Sequence, residues 1–111
     1  MIRVVIDKKD GYIDGFRLSG HAGYDDYGKD IICSAMSMLA INTANSLQIL
    51  ANESCDVEQD EEEGLLAIHF DHRPNESAQL LLLSFELGVQ GVIDQYGSEF
   101  VSLVYETSED S

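Results

Sequence analysis

Residues 30–50 read DIICSAMSMLAINTANSLQIL in one-letter code, and the fold class turns on this run. From Ile31 onward, Ile32, Ala35, Met36, Leu39, Thr43, Leu47 and Leu50 recur at three- and four-residue intervals, the spacing of one helix face. Asp30 stands just before them, where a carboxylate accepts from first-turn N–H groups and complements the helix dipole. The spacing predicts an amphipathic helix capped by Asp30 and ending near Asn52.

Upstream of this helix the period changes from helical to two. Ile2, Val4 and Ile6 alternate with Arg3 and Asp7 as a half-buried strand. Lys9-Asp10-Gly11 makes a turn, and a second strand runs through Phe16 and Leu18 to His21. Gly15 inside that strand marks a bulge. The stretch from Gly20 to Lys29 has no apolar period and three glycines, and reads as a mobile loop. Downstream, Cys55 and Val57 alternate with Asp56 and Glu58. The turn Glu61-Glu62-Glu63-Gly64 then leads into Leu66, Ile68 and Phe70, which makes a hairpin. Pro74-Asn75 opens a second helix with a core stripe of Ala78, Leu81, Leu82, Phe85, Val89, Val92, Ile93 and Tyr96. A last strand carries Val101, Leu103 and Tyr105. The order ββαββαβ predicts an α+β two-layer sandwich, a largely antiparallel or mixed sheet with two helices on one face. At 111 residues, one domain spanning 1–111 is expected.

Composition narrows the function. The net charge is −15. Five of the six basic residues (Arg3, Lys8, Lys9, Arg17, Lys29) fall in residues 1–30, and the remainder of the chain sets Arg73 against fifteen acids. Such a surface repels phosphate, which argues against direct nucleic-acid binding and for a basic polypeptide partner. No stretch has a signal-peptide profile or the length of a bilayer span, so no membrane association is expected. Two cysteines, Cys33 and Cys55, without a CxxC pair suit a reducing cytoplasm.

Cys33 is the most informative side chain. With Asp30 as N-cap it occupies the third helical position, where the dipole favours a thiolate. It lies about 120° from Leu39, on a side shared with Ser37, Ala40 and Ala44, and so is expected to face away from the core stripe. Packing as a small hydrophobe is the alternative for Cys33. Only eleven residues separate it from His21, at a strand end. A strand-end histidine and a helix-start thiol joined by a short loop can meet within hydrogen-bond reach. The histidine would take the thiol proton and return it to a leaving amine, with the N–H groups near Cys33 and Ser34 as an oxyanion site. Taken alone, His21 equally suits a loop residue bonding to backbone. His69, Asp71 and His72 invite a metal reading, but His69 points to the outer face and the other two sit in a turn, so no metal or cofactor is expected. Cys55 reads as structural on the inner face of its strand, and Glu58–Glu63 as a solvated tip.

Ser19-Gly20-His21-Ala22-Gly23, followed by Gly28-Lys29-Asp30-Ile31-Ile32-Cys33-Ser34-Ala35-Met36-Ser37, resembles the signature of the ribosomal-processing cysteine protease family, Prp. The element order, length and acidity are similar across essentially the whole chain. The resemblance implies a cytoplasmic, homodimeric cysteine endopeptidase. It would remove a short N-terminal extension from the large-subunit ribosomal protein whose N-terminus approaches the peptidyl-transferase centre. By that resemblance Cys33 is the nucleophile and His21 the general base and acid. Gly20, Asp30 and Ser37 fall at matching motif positions and, with Ser34, are substrate-site candidates. An acidic enzyme suits a basic ribosomal protein precursor. Leu80, Leu83 and Leu87, and the small stripe Ser84, Gly88 and Gly91, serve either a dimer interface or packing within one subunit. The rival readings are a non-catalytic, acidic ribosome-assembly module binding a basic protein, and a metal-binding protein using the histidines.

Overall fold

The computed structural model describes residues 1–20 and 27–108, with the backbone alone at 27–30. Strand β1 (Ile2–Lys9) turns into β2 (Tyr12–Ser19), helix α1 spans Tyr27–Ile49, the hairpin β3 (Asp56–Asp60) and β4 (Leu65–His69) follows, and α2 (Glu76–Tyr96) leads to β5 (Val101–Ser108). The β1–β2 turn is tight because Asp10 and Gly11 both adopt positive φ, 51° and 86°, the backbone that matches the twist of a two-residue hairpin.

The five strands form one mixed sheet in the order β3-β4-β2-β1-β5. All neighbours are antiparallel except β1 and β5, which run parallel from Ile2 beside Val101 to Lys9 beside Ser108. A parallel pair needs a crossover, and α2 provides its last leg. One sheet face buries Val4, Ile6, Phe16, Leu18 and Ile68 against Met36, Ala40 and Leu47 of α1 and Leu82, Phe85 and Val89 of α2. Phe16 and Phe85 stack across this layer with centroids 4.0 Å apart. Gly88 lets the helices approach, since a Cβ there would stand 2.9 Å from both methyl carbons of Leu39. The glycine stripe of α2 thus packs within the subunit at Gly88, whereas Leu80, Leu83 and Leu87 remain exposed. Among the described residues no helix is long and apolar enough to cross a membrane.

Three expectations are corrected. Helix α1 begins at Tyr27, not after Asp30, so Asp30 is its fourth residue and no N-cap. The core stripe of α1 runs through Ile32, Met36, Ala40, Thr43, Ala44 and Leu47, rotated toward Cys33 from the stripe centred on Leu39. Strand β3 is exposed along its whole length, Val57 included. It is an edge strand, and among the described residues it pairs with β4 alone.

The end of α1 is tied to the start of α2. Asn75 caps α2 by accepting from the N–H of Ala78 at 2.8 Å and donates its side-chain amide to the carbonyl of Ala51. Glu53 accepts from the Asn75 N–H at 2.8 Å and meets His72, which also contacts Asp71. The hydrogen bonds to Asp71 and then Glu53 push His72 above its ordinary range, and those from Asn75 and His72 lower Glu53. A raised histidine stabilises the fold below its unfolded pKa and loses that contribution as pH rises through the folded value. His72→Gln is therefore expected to lower the melting temperature at pH 5.5 and leave it unchanged at pH 8.5, as scanning calorimetry at the two pH values would show.

Candidate active site

Cys33 is the seventh residue of α1. It is partly buried, packs against the core cluster and is not in a disulfide. The expectation that it faces away from the core is corrected: Ala40, two turns along the same side, is fully buried. The first-turn argument is corrected as well. Only the first four N–H groups of a helix lack intrahelical partners, and those of Cys33 and Ser34 lie beyond them. Neither the dipole nor these two amides is placed to serve the thiol.

The surroundings of Cys33 do form a site. A small depression of about 70 Å³ is walled by Cys33, Gly20, Ser37, Gly64, Ile2 and Leu18. A second, of about 200 Å³, adjoins it and shares Leu18, Ser37 and Gly64 as walls. It continues between α1 and the β3–β4 hairpin past Ile41, Leu65 and Leu66 to Asp60 and Glu61. Together they make a groove, apolar along its floor and acidic at its far end, with the thiol at the other.

Gly20 is fixed here by backbone alone. Its N–H donates to the carbonyl of Glu63 at 3.1 Å, and its φ is 89°. A Cβ at this position would stand 2.4 Å from the carbonyl oxygen of Met1, so only glycine fits between the start of β1 and the hairpin turn. That turn is itself shaped by Gly64, at φ 62°, and by the Asp60 carboxylate accepting from the N–H of Glu62.

Of the residues singled out from sequence, Gly20, Cys33 and Ser37 are brought together. Ser34 is exposed and lines neither part of the groove. Asp30 is placed by its backbone only, and His21 lies outside the described residues, as does most of the segment expected to be a mobile loop; Tyr27–Lys29, assigned to that loop, are helical. Missed from sequence were Leu18, Gly64 and Leu65. Gly64 carried a signal in its turn position, but nothing local shows that the hairpin folds over α1. Cys55 is partly buried, and burial pushes its thiol up while Gln48 contacts its sulfur. Among the described residues no group of three or more metal-ligating side chains converges.

The family model described as "Cysteine protease Prp" matches residues 1–101. The ribosomal processing cysteine protease Prp of Staphylococcus aureus is 30% identical over 106 residues, covering 95% of this chain and 99% of that protein. A crystal structure of a Streptococcus mutans protein superposes with a TM-score of 0.88 at 32% identity, covering 97% of this chain and 96% of that one. The Staphylococcus aureus Prp in complex with a substrate peptide superposes at 0.86 and 29% identity, covering 96% and 100%. Matched along nearly its whole length in sequence and in fold, the chain belongs to the Prp family of cysteine proteases.

Proposed function

We propose that this cysteine protease uses Cys33 as nucleophile and His21 as general base and acid to remove a short N-terminal extension from a large-subunit ribosomal protein. The observation that carries this reading is the depression that holds Cys33 and Gly20 together. His21 follows Gly20 directly in the chain. The imidazole takes the proton of the Cys33 thiol. The sulfur attacks the scissile carbonyl carbon to form a thioester, and the imidazolium returns its proton to the departing amine. Water activated by the same imidazole then hydrolyses the thioester and restores the thiol. The groove from Cys33 to the β3–β4 hairpin suits an extended peptide with apolar side chains.

The net charge of −15 favours a basic precursor and disfavours direct nucleic-acid binding. In this reading the enzyme acts in the cytoplasm as one domain of residues 1–111 and as a homodimer, with the exposed leucines of α2, 69%, 49% and 74% accessible at Leu80, Leu83 and Leu87, as interface candidates. Incubation with the precursor ribosomal protein followed by N-terminal sequencing tests it. A single new N-terminus a few residues into the precursor is expected, and an uncleaved but stably bound precursor would favour the non-catalytic binding module.

Thiol chemistry gives an independent check. Burial holds the Cys55 thiol up, whereas the Cys33 thiol is paired with a base in this mechanism. Iodoacetamide at pH 6 should therefore modify Cys33 at least about tenfold faster than Cys55, as peptide mapping by mass spectrometry would show. Equal rates would remove the basis for assigning the nucleophile.

A further inference from the structure

The opposite face of the sheet, which neither helix covers, carries a second built feature. Strand β2 bulges at Asp14: Asp7 pairs with Gly15 and Lys8 with Ile13, leaving Asp14 as the extra residue. The bulge is held from several directions. Gln79 of α2 both donates to the carbonyl of Ile13 at 2.6 Å and accepts from its N–H at 3.1 Å. The N–H of Phe70 donates to the carbonyl of Asp14 at 2.9 Å. Gly15 lies so close to β4 that a Cβ would stand 2.3 Å from the carbonyl oxygen of Ile68. Bulges of this kind re-aim a side chain, and here the side chain is a carboxylate.

Asp14 is only 7% exposed, and its buried Oδ1 has no hydrogen-bond partner among the described residues. Leaving a carboxylate oxygen unsatisfied in the interior is unfavourable and calls for a reason. The residue lines a depression of about 430 Å³ together with Asp7, Arg17, Glu58, His69 and Glu106. Arg17 is already engaged, bonding Asp7 at 3.0 Å and also Glu106. Asp14 and Glu58 are left without an ion pair among the described residues; the charges of His69 and, more weakly, Lys9 act on Asp14. Desolvation accordingly pushes Asp14 above the usual carboxylate range. The lining of this concave site thus sets four carboxyl groups against one permanent cation, Arg17.

We propose that this depression is a binding site for one organic cation, the ammonium or guanidinium of a lysine or arginine side chain on a basic polypeptide, with Asp14 as its buried partner and Glu58 at its rim. A donor entering the depression would satisfy the orphaned oxygen and offset the excess charge. A divalent metal fits less well, because no three ligating side chains converge among the described residues. The site lies across the sheet from the Cys33 groove, so it neither uses the proteolytic machinery nor depends on it.

The test is an NMR titration of the full chain, labelled at its carboxyl carbons, with a peptide of alternating glycine and lysine. The same peptide with acetylated amines serves as control, and magnesium chloride at matched ionic strength as a second arm. Expected are saturable shifts at the Asp14 carboxyl and at the amides of residues 14–17 and 67–69, a lowered Asp14 titration midpoint, and no response to the acetylated peptide. Asp14→Asn should weaken binding at least about tenfold and Glu58→Gln severalfold. The Asp14 midpoint is read on the native chain and needs no variant to fold. Equal shifts with magnesium, shifts confined to Asp60–Glu63, or an unmoved Asp14 midpoint at saturation would overturn the proposal.

Discussion

Cys33→Ala is expected to lower peptide cleavage by at least about 10⁴-fold, because loss of the nucleophile leaves only binding and polarisation to act on the scissile bond. His21→Ala should fall by about 10²–10⁴-fold, the range ascribed to a positioned general base. The thiol sits at the edge of the core rather than within it, so Cys33→Ala removes one partly buried sulfur and should cost about 1 kcal/mol of stability. Circular dichroism melting of the variant beside a cleavage assay separates the two effects. A folded variant that still cleaved at a tenth of the native rate would place the nucleophile elsewhere.

The second large effect is expected at Gly20. Alanine there meets two penalties, a positive φ of 89° that its side chain disfavours and a 2.4 Å approach to the Met1 carbonyl. Together these should destabilise the fold by about 2–4 kcal/mol. They would also displace the strand end from which His21 leaves. Because a shift of about 1 Å in a catalytic group can slow a reaction about 10²-fold, cleavage should drop by that factor or more even at temperatures where the variant is folded. Gly11→Ala is the matched control. It has a similar φ of 86°, but nothing lies within 4 Å of its Cβ position, so it should lose only about 1 kcal/mol and cleave normally. Equal activity losses in the two variants would show that backbone strain alone, and not the position of Gly20, matters.

Stability should also respond at Asp14. A carboxylate raised in the folded state holds its proton longer than in the unfolded chain, so stability falls as pH rises through that interval. Asp14→Asn is thus expected to raise the melting temperature at pH 7 and change it little at pH 3, by calorimetry. A residue that weakens the fold at working pH while building a binding depression fits a functional trade-off.

The element order was legible because each run keeps one period: alternation through Ile2, Val4 and Ile6, and three-to-four spacing through Ala78, Leu82, Phe85 and Val89. Gly15 announced the bulge that the register of β1 and β2 shows. The N-terminus of α1 was misread because Tyr27, Gly28 and Lys29 have no apolar period and Asp30 is a good capping residue. Glycine disfavours a helix by about 1 kcal/mol, less than the surrounding structure supplies. That four-residue error moved Cys33 from the first turn of the helix to the seventh position, and with it went the dipole argument for its reactivity. Gly20, Cys33 and Ser37 nevertheless line one depression. The parallel β1–β5 pairing, the exposure of β3 and the fold of the hairpin over α1 depend on contacts tens of residues apart, and no local pattern encodes them. Asp14 was missed for a different reason. The break in alternation between Ile13 and Phe16 is visible, but it does not show that the inserted carboxylate is buried without a partner.

As the nucleophile, Cys33 forms a covalent bond to the substrate, and the acyl-enzyme can be trapped. Native chain mixed with the precursor peptide, quenched in acid within the first turnover and mapped by mass spectrometry, should carry the N-terminal fragment as a thioester on Cys33 alone. Product accumulating with no acyl mass on the enzyme, or with that mass on Cys55, would contradict it.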